Sequence, residues 1–484
     1  MALRSGDEYL ASIKSLGLEA HVLGKKTGDL SEHALVKPSQ RAVAVTYDCA
    51  HDNETSQLFR VESPLCKDTV NRFTHLHQST EDLIKKVKMQ RYCGLKTACC
   101  FQRCVGLDAA NAIFSTTFEC DHKHGTIYHE RFKDYWKWVQ KEDLVVDGAM
   151  TDPKGDRGKR PKDQFDPDLY LRIKERRPGG VVINGAKLHQ TGMLNSHEIL
   201  IMPTLTMRPG EEDWAICCAV PTNERGVHYV YGRQASDTRK LEEPYTDVGN
   251  PVYGGQEVMT VFDDVFVPTE RVFMQGEIDF SGILVERFAS YHRQSYGGCK
   301  VGVGDALIGA TALIARMNGV GGASHIKDKI VEMIHLNETI YSCGIACSAE
   351  GERTPAGNYQ VNLLLANVCK LNVTRFPYEL ARLATDIAGG LLGTMPSASD
   401  LSDPVAGQYI RKYLAVAPEG DVLDRIKVLR LIENLVAGAG AVGYLIESMH
   451  GAGPPTAQRI MIGRQADVEN KIERVKTLLG TKSG

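Results

Sequence analysis

Residues 180–192 read GVVINGAKLHQTG, a β-branched run that meets small residues at Asn184-Gly185. Val and Ile pack well on a pleated surface, so the run predicts a strand, and Asn-Gly predicts a turn. Similar short runs lie further on: EILIMPTLTM (198–207), WAICCAV (214–220), VHYVYGR (227–233) and VMTVFDDVFVP (258–268). Each is rich in β-formers and is set off by polar or Gly-containing loops, so residues 146–275 predict a β-domain of several strands. On both sides the apolar period is helical. Residues 1–145 predict a helical domain, with Asp68–Lys88 and Lys96–Ala112 as helical stretches. Residues 276–484 predict a second one, carried by Asp328–Glu350, Gln360–Ile387 and Val422–Ser448. The fold class is therefore α+β, in the order helical, β, helical.

A chain of 484 residues is too long for one core, which agrees with several domains. Apolar residues make up 43% and charged residues 24%, the balance of a globular protein in water. The net charge of -3 provides no global field for nucleic acid or an acidic membrane, so any anion site is local. Met1–Gly17 carries Asp7, Glu8 and Lys14 and lacks the apolar run of a secretory signal. No membrane span is expected either, and the expected location is cytoplasmic. The 13 cysteines, odd in number and without an export signal, argue against a disulfide framework. Most of them are expected to be buried thiols.

Two segments could do more. Cys99-Cys100-Phe101-Gln102-Arg103-Cys104 lies inside a helical pattern, and the spacing of Cys100 and Cys104 puts both thiols on one helix face. In Tyr291–Lys300 (YHRQSYGGCK), His292, Tyr296 and Cys299 fall at i, i+4 and i+7, a single helical stripe. Gly297 and Gly298 lie beside that stripe and would let a bulky group approach the backbone. Each costs a helix roughly 1 kcal/mol relative to alanine, so a packing or functional reason is expected. If the two faces meet, they present three thiolates and one imidazole. That set suits an iron–sulfur cluster or zinc, although the close C-x₂-C pairs usual for zinc are absent. The plainer alternative is a group of buried thiols and a core histidine.

Gly438–Gly443 (GAGAVG) fits G-x-G-x-x-G but continues a helical run, VLRLIENLVAGAGAVGYLIE. A dinucleotide fingerprint needs a preceding strand, so this stretch reads as close helix packing.

Longer strings carry a family resemblance. KTACCFQRCVGLDAANA (96–112), VDGAMTDPKGDRG (146–158), HQTGMLNSHE (189–198) and GGQE (254–257) resemble the 4-hydroxybutyryl-CoA dehydratases. So do VERFASYHRQSYGGCKVGVGD (285–305), HLNETIYSCGIACSAEG (335–351), TRFPYELARLATDIAGGL (374–391) and ESMHGAG (447–453). The resemblance runs from Asp7 to the C-terminus. It implies an acyl-CoA dehydrogenase-like fold, with a C-terminal helical bundle, and a homotetramer binding FAD near its subunit interfaces. It also implies a [4Fe–4S] cluster held by Cys100, Cys104, His292 and Cys299, with Cys99 left as a packing thiol. Catalytic positions carried over are His292, Tyr296, Glu447, Glu257 and Lys300. Flavin contacts carried over are Thr151, Pro153, Lys154, Asp156 and Arg157 in one loop and His189, Gln190, Thr191 and Gly192 in another. Thr191 is placed nearest the isoalloxazine. Ala388, Gly389 and Gly390 are expected to contact the cofactor of a neighbouring subunit.

The implied reaction is reversible dehydration of 4-hydroxybutyryl-CoA to crotonyl-CoA, with vinylacetyl-CoA isomerisation beside it. The thioester acidifies only C2, whereas water loss needs a proton from C3, so acid–base chemistry alone fails. The family's route is a transient flavin-mediated oxidation to a ketyl radical, with His292 as the C2 base and the cluster as Lewis acid. Tyr296 and Glu447 would position or protonate groups at the other face, and Glu257 would support substrate or flavin. The rival is a flavin-dependent aromatic monooxygenase of the 4-hydroxyphenylacetate 3-hydroxylase type, which has no use for a cluster.

Overall fold

The computed structural model describes residues 3–233, 238–241, 245–416 and 421–481. The N-terminal part begins with α1 (Gly6–Ser15), strands β1 (Ala20–Val22) and β2 (Lys25–Thr27), α2 (Lys37–His51) and α3 (Ser56–Phe59). A hairpin of β3 (Arg60–Ser63) and β4 (Asp68–Asn71) follows, then α4 (Thr80–Thr97), α5 (Cys104–His124) and α6 (Tyr128–Lys141). The middle holds β5 (Val146–Ala149), β6 (Arg172–Arg177), β7 (Gly180–Thr191), β8 (Glu198–Ile201) and β9 (Ile216–Pro221). It closes with β10 (Val227–Tyr231), β11 (Glu257–Pro268) and β12 (Val272–Gln275). From there the chain is mostly helical: α7 (Ile278–Met317), α8 (Ser324–Ala349), α9 (Leu363–Val373) and α10 (Phe376–Ala388), and, beyond some shorter helices, α11 (Val422–Val436). The helical, β, helical order is borne out.

The strands form two sheets, of order β2-β1-β10-β11-β7-β6 and β12-β9-β8-β5. Their inner faces share one core, in which Val181, Ile183 and Phe262 of the first sheet join Ile199, Ile216 and Val272 of the second. The N-terminal segment thus supplies two strands to the larger sheet. The turn expected at Asn184-Gly185 is not there. β7 runs straight through it, with Asn184 opposite Arg172 and Gly185 opposite Phe262. Gly185 is needed because Leu171 packs on it: a Cβ there would lie 2.6 Å from the Leu171 Cα. The reversal falls instead before Gly180, where Gly179 takes φ +84°.

The helical pattern also breaks where periodicity alone did not show it. Asp68–Lys88 begins as β4 and a 3-10 turn, and the helix starts only at Thr80, where Ser79 Oγ accepts the Asp82 N–H. Lys96–Ala112 is interrupted: α4 ends with Ala98 in the left-handed region, and α5 begins at Cys104. Cys100 therefore sits in a loop, not on a helix face shared with Cys104. Gln360–Ile387 divides at Thr374. Val422–Ser448 stops at Val436 and resumes as a π-helical turn over Val442–Ile446.

The forty-residue α7 is apolar and long enough to cross a membrane by length and composition. Here it is the central core helix, with most of its residues buried against its neighbours. Its glycines explain how. A Cβ on Gly302 would fall 2.1 Å from the Arg91 carbonyl oxygen, and one on Gly298 2.5 Å from that of Val87, both on α4. Gly297 meets Gly344 of α8 in the same way. The group that needs the bare backbone beside the histidine stripe is thus a pair of helices. Gly302→Ala is expected to lower stability by about 1–3 kcal/mol through overpacking. Gly309, on the same helix, would meet nothing within 4 Å, so Gly309→Ala should gain up to about 1 kcal/mol. Denaturant melts of the two variants check this, and equal behaviour would contradict the packing argument.

Candidate active site

Three crossing elements build the site. The loop Ala98–Arg103 enters strained, with Ala98 at φ 49° and Gln102 at φ 58°, conformations costly for non-glycine residues. Its neighbours over-determine it. Phe101 is buried against Phe73, and Arg103 reaches Asp143 at 3.0 Å and Thr46 at 3.1 Å. Gln102 Nε2 donates to the Cys100 carbonyl and to that of Gly254, while its Oε1 accepts from Asn195. Gln102 therefore ties the cysteine loop to the β-domain. It was missed in the sequence because an amide carries no signal by spacing.

Cys100, Cys104 and Cys299 are electrostatic neighbours inside this region. Burial pushes all three thiols up, Cys299 to about 11. Without a cation they would stay protonated, and a bound metal is what turns such thiols into thiolate ligands. The ligand atoms of Cys104, Asp108 and His292 lie within 4.8 Å of one another. His292, Tyr296 and Cys299 share α7, as the stripe predicted, and the His292 and Tyr296 rings are 5.1 Å apart edge-on. Cys104, His292 and Cys299 stand on helices α5 and α7 and Cys100 on the loop before α5, a largely buried soft donor set whose chemistry fits a thiolate-bound iron group. Cys99, one residue from Cys100, instead donates its thiol to the Cys100 carbonyl.

Beside the thiols lies a chain of polar groups. Lys300 Nζ is 2.5 Å from Glu447 Oε2 and also donates to the Gly443 carbonyl. Glu447 is reached by Thr191 Oγ1 at 3.4 Å, and the same hydroxyl donates to Glu257 Oε1 at 2.6 Å. Burial, and then the Glu447 charge, hold the Glu257 carboxyl well above the usual range. Lys300 is opposed by burial, but the neighbouring Glu447 holds its amine well above the ordinary range. The two carboxyls thus share one site with different tasks: Glu257 keeps its proton and Glu447 faces a cation. The glycine run 438–443 matters here. No strand precedes it, so it is no dinucleotide loop, as expected. Yet it does not simply pack helices: it ends α11 and leads into the π turn that presents Gly443 and Glu447. Such turns recur at functional sites because they re-aim side chains.

Lys370 of α9 is a further residue that sequence reading passed over. It is fully buried, donates to the Ser448 carbonyl, and lies 4.7 Å over the Tyr296 ring, which Lys300 approaches at 5.0 Å. Burial, then Lys300 and Arg293, push its amine down to about 7. An unfolded lysine titrates near about 10.4, so between these values the unfolded chain binds more protons. Stability contributed at this position therefore rises with pH from about 7 to about 10. Wild type should gain on Lys370→Met in melting temperature over that range; parallel curves would remove the argument.

The two expected flavin segments adjoin. The Thr151 carbonyl accepts the Leu188 N–H at 2.8 Å, next to His189. Lys154 (φ 74°), half-buried, and His189 (φ 57°), exposed, both sit in unusual backbone. Burial, then Lys154 and His450, lower the His189 proton affinity, and burial and Arg157 lower that of Lys154. The nearby carboxylate Asp152 is already engaged by Lys187 at 2.9 Å. This surplus of positive charge suits a pyrophosphate or an anionic flavin edge. Pro153, Asp156 and Gln190 belong to these segments, and Gly192 takes φ +86° against Gln102. Ala388–Gly390 stand apart at the end of α10, where Gly389 has φ +77° and open space at its Cβ position.

Comparison with known proteins adds sequence and fold. Residues 5–274 match the family described as 4-hydroxyphenylacetate 3-hydroxylase N terminal, and residues 281–480 its C-terminal counterpart. The 4-hydroxybutyryl-CoA dehydratase/vinylacetyl-CoA-Delta-isomerase of Clostridium aminobutyricum is 55% identical, over 99% of this chain and 100% of its own. The 4-hydroxyphenylacetate 3-monooxygenase oxygenase component of Thermus thermophilus is 24% identical, over 92% of this chain and 91% of its own. Among solved structures, the oxygen-tolerant archaeal 4-hydroxybutyryl-CoA dehydratase from N. maritimus has a TM-score of 0.98 at 52% identity, covering 100% of this chain and 96% of its own. The oxygenase component of 4-hydroxyphenylacetate 3-monooxygenase, complexed with FAD, shares the fold at TM-score 0.86 and 21% identity, covering 98% of each.

Proposed function

The chain belongs to the 4-hydroxybutyryl-CoA dehydratases within the wider 4-hydroxyphenylacetate 3-hydroxylase family, and from that we infer that it reversibly dehydrates 4-hydroxybutyryl-CoA to crotonyl-CoA and isomerises vinylacetyl-CoA. The observation that carries the reading to the site is the joining of the thiol set to a buried acid–base chain. His292 abuts Tyr296, Lys300 and Lys370 flank that ring, and Lys300 holds Glu447 beside Thr191 and Glu257. An aromatic hydroxylase has no need of three thiols and an imidazole in such a place. Monooxygenase relatives are also far more distant, at 24% identity or less against 55%.

Bound at these positions, FAD would accept and return an electron and take up the C3 proton so made removable, and a [4Fe–4S] cluster on Cys100, Cys104, Cys299 and His292 would offer a Lewis-acidic iron. The chain's own groups do the rest. His292 takes the C2 proton. Tyr296, approached by two lysines, and the protonated Glu257 supply the two protons the products need, one at the departing hydroxyl and one at C4. Lys300 holds Glu447 in place. The Lys154, Arg157 and His189 surface receives the flavin, with Thr191 turned to the reacting side. The protein works as a cytoplasmic homotetramer in which Ala388–Gly390 reach a neighbouring subunit's cofactor; the open, left-handed Gly389 supports that use.

Anaerobic incubation with 4-hydroxybutyryl-CoA, followed by chromatography of the thioesters, tests the reading. Crotonyl-CoA is the expected product. An inert thioester, with hydroxylation of a phenol by the reduced-flavin protein in air, would replace it with the monooxygenase.

A further inference from the structure

We propose that Asp108, held by Lys86, is the positioning residue that fixes the tautomer of His292 and so aims its Nε2 lone pair at the thiol set. The proposal rests on the reading above that an iron–sulfur cluster is bound there.

Asp108 lies one turn after Cys104 on α5, so one helix face supplies both a thiol and a carboxylate. Its Oδ2 is 2.8 Å from His292 Nδ1 and accepts from Ser295 Oγ at 2.9 Å. Its Oδ1 is 2.5 Å from Lys86 Nζ, and neither side chain of that pair is exposed. Lys86 is fixed in turn by the Tyr291 carbonyl at 3.1 Å and Gln294 Oε1 at 2.8 Å.

An ionised carboxylate can only accept hydrogen bonds, so Nδ1 must carry a proton and the ring's one lone pair sits on Nε2. A histidine that ligates metal commonly gives its second N–H to a carboxylate in this way, which orients the ring and raises its basicity. Metal binding and proton abstraction by His292 must then both pass through Nε2 and cannot occur together.

Asp108→Asn separates this role from simple support. Lys86 is an ammonium and can only donate, so it captures the amide oxygen. The amide NH₂ is then turned toward His292 and Ser295. Nδ1 becomes an acceptor, the proton moves to Nε2, and the lone pair facing the thiols is lost. In the double variant K86M/D108N the competing ammonium is gone, and the Ser295 hydroxyl still donates on the His292 side. The amide oxygen can turn back to His292 and restore the original tautomer.

The experiment is pulsed EPR of the reduced holoenzyme, read for the histidine nitrogen coupling to the cluster, alongside iron content and kcat. D108N is expected to lose that coupling while keeping flavin, with kcat down about 10- to 100-fold. K86M/D108N should regain both the coupling and most of the rate. Coupling retained in D108N, whatever its rate, would overturn the proposal, as would a double variant without it. Should D108N not accumulate folded, the double variant alone decides: with asparagine at 108 it must still show the coupling. Wild type without iron would remove the function reading instead, so the two failures are distinguishable.

Discussion

Changing Cys104 to serine is expected to leave a folded flavoprotein with little iron and dehydration reduced about a thousandfold or more. Serine nearly matches cysteine in volume, so the start of α5 should survive. Its hydroxyl, however, is a hard donor that binds iron–sulfur clusters poorly. Removing a Lewis-acidic centre forfeits several kcal/mol of transition-state stabilisation, and each 1.36 kcal/mol is a factor of ten. Cys99→Ser is the control, because Cys99 lies one residue outside the set and its thiol donates to the Cys100 carbonyl. It should keep its iron. Iron analysis and turnover of both purified variants check the contrast, and a C104S protein with full iron would sink the ligand assignment.

The second large effect is at Lys300. Lys300→Met removes one partner of a buried ion pair and leaves Glu447 facing Glu257 without a counter-charge. Breaking such a pair costs about 3–5 kcal/mol, because the remaining charge is uncompensated. Losing the ordered carboxyl pair should also lower kcat by about 10²–10⁴-fold. The doublet K300M/E447Q should be more stable than K300M alone, since it removes the orphaned charge. Urea melts and steady-state rates measure both. If K300M proved as stable as wild type, the pair would not be holding Glu447, and the division of labour between the two glutamates would need another cause.

How much of this was legible beforehand follows from what a sequence encodes locally. The runs at 214–220, 227–233 and 258–268 each hold a strand and 198–207 holds one over Glu198–Ile201, because β-branched and aromatic residues act over a few positions. The stripe His292, Tyr296, Cys299 was readable because α7 is a regular helix. Helix ends set by tertiary contact were not. Ala98 and Gln102 take left-handed angles with no glycine to announce them, held by Phe101, Arg103 and the amide bonds of Gln102. Asn184-Gly185 looked like a turn, but Leu171, far from it in local pattern, decided that the glycine would serve a close approach. In the site, the residues named from the resemblance at 191, 257, 292, 296, 300 and 447 form one connected chain of contacts. Asp108, Lys86, Lys370 and Gln102 stayed hidden. Each acts by touching a residue distant in sequence, and charge or amide content alone says nothing of that.

The central claim is that a flavin and a [4Fe–4S] cluster share this chain. Strictly anaerobic purification, followed by iron, sulfide and flavin analysis with an absorption spectrum, tests it most directly. The account predicts iron and sulfide in the ratio of one such cluster per chain, with an equimolar FAD. Flavin without iron or sulfide after that handling would contradict it and return the thiol set to ordinary core packing.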